Sequence, residues 1–236
     1  MQPSVPAFRL TARTRRAARP ALASLVVACL LTPAGAVLGA DLRARVFDQN
    51  GRGVSDAVVA ARPLKSAGAA QAAPRDEAVE QIDQEFAPHV KAVLAGSRVH
   101  FPNRDKVQHQ VYSFSPAKRF ELPLYSGTSA SPITFDKPGV VTLGCNIHDW
   151  MIGYIYVADT PYFGTTGKDG VALLKDVPAG EYDVRVWQPG MTEPEESTVR
   201  RVTVGRAGVN DAEWRIAVKP AFKVRRAPGP GRGGYR

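Results

Sequence analysis

Cys145-Asn146-Ile147-His148-Asp149-Trp150-Met151 places a thiol, an imidazole and a thioether within one short run. Apolar, partly β-branched stretches flank it, Val140 to Leu143 before and Ile152 to Val157 after. That pattern reads as two strands joined by a tight loop. A second imidazole, His109, opens a further strand-like stretch, His109 to Phe114, 36 residues before the cysteine. Three donors on one loop and a fourth on a separate strand need a folded scaffold to bring them together.

A thiolate, two imidazoles and a thioether form the ligand set of a type I (blue) copper site. His109, Cys145, His148 and Met151 are therefore the expected metal ligands, for one copper ion. A long axial contact from methionine leaves the ion near trigonal, a shape that suits neither oxidation state alone. Little reorganisation then accompanies the gain or loss of one electron. Zinc fits less well, because methionine is a poor zinc ligand and zinc sites favour further Cys, His or carboxylate. The competing reading is a buried free cysteine, a surface histidine and a core methionine that happen to be close. His89 and His100 complete a total of four histidines, too few for the trinuclear cluster of a multicopper oxidase. No Gly-x-Ser-x-Gly elbow is present, and His148 lies too near Cys145 in sequence to read as a separate catalytic base. The expectation is a protein that is not an enzyme.

The chain has 236 residues and a formal net charge of +9, but the charge sits at its ends. Five arginines and no acid occupy residues 1–40, and six basic residues and no acid occupy 219–236. The remainder is near neutral, so no nucleic-acid surface is indicated. Residues 1–40 read as a signal peptide: arginines, an apolar stretch from Ala21 to Leu31, then small residues. Ala34-Gly35-Ala36 and Leu38-Gly39-Ala40 offer cleavage sites. The apolar stretch is broken by Pro33 and Gly35 and falls short of the roughly 20 residues that span a bilayer. No integral membrane span is expected after cleavage. Arg15-Arg16 is a weak twin-arginine signal, and Cys29 is either a lipidation site or a small hydrophobe within the signal. The expected destination is the periplasm of a Gram-negative bacterium. With Cys29 removed, Cys145 is the lone cysteine in an oxidising compartment, and metal ligation accounts for it.

Along the chain, Asp41 to Phe47 alternates as a strand, Asn50-Gly51 marks a turn, and Val54 to Ala61 reads as a second strand. Ser66 to Ala73 reads as a loose connection. Residues 78–157 read as a series of short strands: Val90 to Val93, Arg98 to Phe101, His109 to Phe114, Ile133 to Phe135, Val140 to Leu143 and Ile152 to Val157. Pro116 to Pro132 reads as a long loop. Residues 158–218 add Val171 to Leu174, Tyr182 to Trp187, Thr198 to Val204 and Ala212 to Val218. Residues 219–236 read as a disordered basic tail. No segment holds a 3.6-residue apolar period with caps, so the fold class is all-β.

Residues 78–157 resemble the cupredoxins. Phe101-Pro102-Asn103-Arg104-Asp105 resembles the strand leading to that family's first histidine ligand, and Lys137-Pro138-Gly139 and Gly153-Tyr154-Ile155-Tyr156-Val157 match its pattern around the second cluster. The Cys-x2-His-x2-Met spacing is similar to the short amicyanin form, where plastocyanin-like proteins have two more residues before the methionine. The whole chain is similar to exported proteins often labelled methylamine-utilisation proteins. The resemblance implies a Greek-key β-sandwich and a carrier of single electrons between redox partner proteins of unknown identity. It also implies that Asn103 braces the ligand loop, against a plain role as a turn residue. Trp150 either marks a docking patch beside the exposed edge of His148 or folds into the core. Lys118 to Pro123 either covers the copper, serves as a partner surface or packs as an ordinary loop. Segments 41–77 and 158–218 resemble the two halves of a carboxypeptidase-regulatory-like β-sandwich, into which the copper region is inserted or beside which it packs. Two other functions use the same residues: copper handling, with Cu(I) bound for delivery or storage, and a structural β-sandwich module with a vestigial metal loop.

Overall fold

The computed structural model describes residues 39–65, 73–128 and 131–219. The signal segment up to residue 38 with Cys29, most of the connection 66–73, and the basic tail beyond Lys219 lie outside the described residues. Two strands come first, β1 (Ala40–Phe47) and β2 (Val58–Pro63). The middle of the chain holds β3 (Asp76–Ala78), β4 (Glu80–Ile82), β5 (Glu85–Ala87), β6 (Val90–Leu94), β7 (Ser97–His100), β8 (His109–Ser115), β9 (Lys118–Tyr125), β10 (Ile133–Phe135), β11 (Gly139–Gly144) and β12 (Ile152–Ala158). Then come β13 (Phe163–Thr165), β14 (Val171–Val177), β15 (Gly180–Trp187), β16 (Arg200–Val204) and β17 (Val209–Arg215). Among the described residues the helical element is a short 3₁₀ turn, Glu195–Thr198. No helix among them is long and apolar enough to cross a membrane.

The middle strands make a sandwich. One sheet runs β6-β12-β11-β8-β9 and another runs β10-β7-β3. Side chains alternate along a strand, so each sheet turns every second residue inward. Val99, Phe101, Val111, Phe135, Val141, Leu143 and Ile155 form a shared core, and Cys145 and Met151 belong to the same core. The loop 145–151 is thus anchored at both ends in this packed core.

The flanking strands form sheets β14-β1-β17 and β13-β2-β15-β16. Val46 and Val184 stand in different sheets but share one core with Leu42, Val59, Leu174 and Trp214. On β1 the buried Ala40, Leu42, Ala44 and Val46 alternate with half-exposed residues, as a one-sided strand requires.

The outer face of the five-stranded sheet meets β2 and β15. Val58 and Ala60 pack on Val90, Tyr156 and Ala158, and Trp187 lies 5.7 Å from Tyr154 and 5.8 Å from Tyr156 between ring centres. A charged group runs through the contact. Arg185 bonds Asp159 at 2.5 Å and Glu195 at 2.9 Å, and its Nε donates to the Tyr156 hydroxyl at 3.0 Å. That hydroxyl in turn donates to Glu195. Burial raises the Glu195 carboxyl above its ordinary value, opposed by the Tyr156 hydrogen bond and Arg185.

Three strand expectations need correction. The stretch 116–132 is not one long loop: Lys118–Tyr125 is the edge strand β9, in a hairpin with β8. Phe120 and Leu122 pack toward the core, and Pro123 is tolerated because an edge strand has unpaired amides on one side. The second strand begins at Val58 rather than Val54, because the Val54 amide bonds the Val46 carbonyl in the preceding turn. Thr198 belongs to the 3₁₀ turn, where its hydroxyl caps Val186.

Tyr156→Phe removes one hydroxyl shared by two charged partners. It should cost about 1–3 kcal/mol of unfolding free energy, read by denaturant unfolding.

Candidate metal centre

Strand β11 ends at Gly144, which pairs with Ile152 of β12 and with Tyr112 of β8. Residues between Gly144 and Ile152 close the hairpin as a turn that bonds to itself. The Met151 amide donates to the His148 carbonyl at 2.9 Å, and the Ile152 amide to the Trp150 carbonyl at 3.0 Å. Cys145 and Met151 end up buried, at 3% and 1% exposure, while His148 is half-buried. His109, at the start of β8, is fully buried.

The thiol lies between two imidazoles. Cys145 Sγ is 3.9 Å from Nδ1 of His109 and 4.0 Å from Nδ1 of His148. All three donor atoms lie within 4.8 Å of one another. Donors about 2.0–2.3 Å from one shared ion sit roughly 3.5–4 Å apart, so this spacing fits a single metal. The donor set is soft sulfur with two imidazole nitrogens, which suits copper.

The other nitrogen of His109 is already committed. Its Nε2 lies 2.7 Å from Asp105 Oδ2. An ionised carboxylate only accepts, so Nε2 carries the hydrogen, and in the neutral ring Nδ1 then presents its lone pair toward the thiol. Asp105 is itself held by the amides of Asp83 and Gln84, at 2.8 and 2.9 Å. Those two residues form the β4–β5 turn with φ of 53° and 58°, a left-handed conformation that side chains disfavour. Burial pushes the Asp105 carboxyl up, but bonds from Gln84, His109 and Asp83 outweigh it and hold the carboxyl below its ordinary value. The His148 imidazole is lowered by burial and by His109, with Asp105 opposing. It stays neutral to lower pH than a free histidine, with a lone pair to give.

Asn103 braces the His109 side of the centre. Its Nδ2 donates to the carbonyls of Val107 at 2.8 Å and Tyr125 at 2.9 Å, and its Oδ1 accepts from the Asp105 amide at 2.9 Å. The segment leading to His109 is thereby fixed, rather than the loop 145–151. Trp150 is half-buried with its ring 5.1 Å from that of His148, and its Nε1 is buried without a partner. His89 packs edge-on against Tyr154 and His100 lies 3.9 Å from Asp76, so neither joins the donor cluster. Lys118 to Pro123 lies within β9 and is not a separate cover loop. Sequence reasoning missed Asp105, although its place four residues before His109 was a usable signal.

No family model matches the chain, and no curated protein matches it. Solved cupredoxin structures are similar to parts of it. The copper-containing nitrite reductase (NirK) from Thermus scotoductus SA-01 is 26% identical, with a TM-score of 0.35, over 42% of this chain and 26% of that one. The chain therefore spans about a quarter of the reductase. A purple cupredoxin from Nitrosopumilus maritimus is 21% identical, with a TM-score of 0.32, over 35% of this chain and 99% of that one. A reduced mutant of amicyanin is 22% identical, with a TM-score of 0.31, over 42% of this chain and 97% of that one.

A carboxyl whose pKa falls on folding stabilises the fold above its unfolded value, near about 4. That contribution is lost as the pH drops through the lowered value. The metal-free Asp105→Asn variant should be about 1–3 kcal/mol less stable than wild type at pH 7. The gap should narrow on acidification, read by denaturant unfolding at several pH values.

Proposed function

We propose that the protein is a type I copper electron carrier of the periplasm, exchanging single electrons with redox partner proteins. The observation that carries this reading is the Cys145 thiol set between the Nδ1 atoms of His109 and His148 at 3.9 and 4.0 Å. When bound, one copper ion would supply a one-electron couple in which no covalent bond of a substrate is made or broken.

The chain's own residues set the terms of that couple. Asp105 and the β4–β5 turn hold His109 in the tautomer that leaves Nδ1 free. Cys145, His109 and Met151 are each at most 3% exposed, which limits water at the donor side. Met151 would offer its thioether to the ion, and its backbone is held by a hydrogen bond from its amide to the His148 carbonyl. His148 is half-buried, which gives the centre an edge toward solvent. Trp150, packed beside it, is the proposed docking residue. Segments 41–77 and 158–218 are proposed as one discontinuous β-sandwich of the carboxypeptidase-regulatory type, a structural or binding unit with no catalysis assigned.

Cu(II) added to metal-free full-length chain should produce intense absorption near roughly 600 nm, absent in Cys145→Ala. Met151→Leu should keep the colour and move the midpoint potential, because a thioether beside the ion would tune it. Reversible voltammetry of the loaded protein supports the carrier. A site that keeps Cu(I) and releases Cu(II) assigns copper handling instead. A colourless wild type that binds no copper overturns both.

A further inference from the structure

Strands β8 and β11 meet in a single register pair, Tyr112 with Gly144. Farther along, the Thr142 amide donates to the Ser115 hydroxyl at 2.9 Å in place of a strand carbonyl. Over this loosened seam the outer face of the sheet opens into a groove of ≈ 480 Å³. Tyr112, Phe114, Thr142, Gly144, Asp149 and Ile152 line it, and its inner end reaches Cys145 and Met151. The Tyr112 ring rests on the Gly144 backbone: a Cβ at 144 would stand 2.7 Å from Cζ of the ring. The groove wall is therefore an aromatic ring in contact with the residue next to the thiol.

The other half of this outer face is already covered, since β2 and β15 pack over Val90, Tyr154 and Tyr156. The part over β8 and over Thr142 and Gly144 of β11 has no such cover among the described residues. Phe114 is 70% exposed and Ile152 40%. Such contiguous apolar exposure marks an interaction surface more often than an isolated side chain does. The charge around it is ordered. Asp149 is exposed at the metal-loop end, with no ion pair among the described residues. Arg119, also exposed, stands opposite Phe114 in the β8–β9 register, at the other end. An exposed carboxylate with no ion pair among the described residues favours a cation at the Asp149 end.

We propose that this groove docks a partner protein that inserts a lysine or arginine side chain toward Asp149 and lays apolar residues over Phe114 and Ile152. Neither His148 nor Trp150 lines the groove, so this contact is separate from the edge assigned above. The surface stands on the metal-free chain; only the redox character of the partner rests on the proposed function.

The probe is tris(1,10-phenanthroline)chromium(III), a redox-inert, paramagnetic aromatic trication, titrated into metal-free, ¹⁵N-labelled full-length chain. Saturable line broadening is expected at the amides of Thr142, Gly144 and Ile152. Affinity should fall several-fold in Asp149→Asn and in Phe114→Ser, both exposed positions whose change leaves the core intact. Hexacyanochromate(III) should not broaden these amides. Broadening centred on His148 and Trp150, or without saturation, overturns the proposal. So does tight binding of tetramethylammonium alone, which would make the groove a small-cation pocket. Sedimentation should show a monomer; a dimer that Phe114→Asp dissociates gives the groove to a second copy and also overturns it. No metal is present in these experiments, so their failure leaves the copper reading standing, and a colourless copper titration leaves the groove result standing.

Discussion

A buried thiol flanked by two imidazole nitrogens is the constraint on which the rest of the site depends. Cys145 and His109 are buried, and a buried polar group without a partner carries a desolvation cost. The fold commits several elements to keeping them there. The β11–β12 hairpin closes at Gly144 and Ile152 and leaves only a short loop for Cys145, His148 and Met151. Strand β8 delivers His109 from the neighbouring position in the same sheet. The sandwich core beneath them, from Phe101 to Ile155, gives the loop a rigid base.

The second commitment is electrostatic. A neutral histidine has two tautomers, and only one presents Nδ1 to the thiol. Asp105 selects it, and the strained turn at Asp83 and Gln84 holds Asp105. Strain in that turn and order in the ligand are thus linked through one carboxylate. Asn103 fixes the same segment from the other side. The cluster is preorganised chiefly through His109, which sequence separates from Cys145 and His148.

What was legible in the sequence follows from which signals are local. Cys145 and His148 were legible because their identities and spacing lie within one loop. The flanking strands were legible because β-branched residues bracket that loop. Strand β9 was not, because Pro116, Pro123 and the charged Arg119 and Glu121 mask the alternation of Phe120 and Leu122. That alternation matters only once β8 lies beside it. The clamp on Asp105 was not legible either, since it depends on amides 21 and 22 residues away in a left-handed turn. The parallel pairing of β1 with β17 joins opposite ends of the described chain, and no local pattern announces it.

The most direct test of the central claim is copper K-edge X-ray absorption on the loaded, full-length protein in both oxidation states. One short sulfur and two nitrogen scatterers are expected, at roughly 2.2 and 2.0 Å, with small change on reduction. A first shell of oxygen and nitrogen without the short sulfur would contradict it.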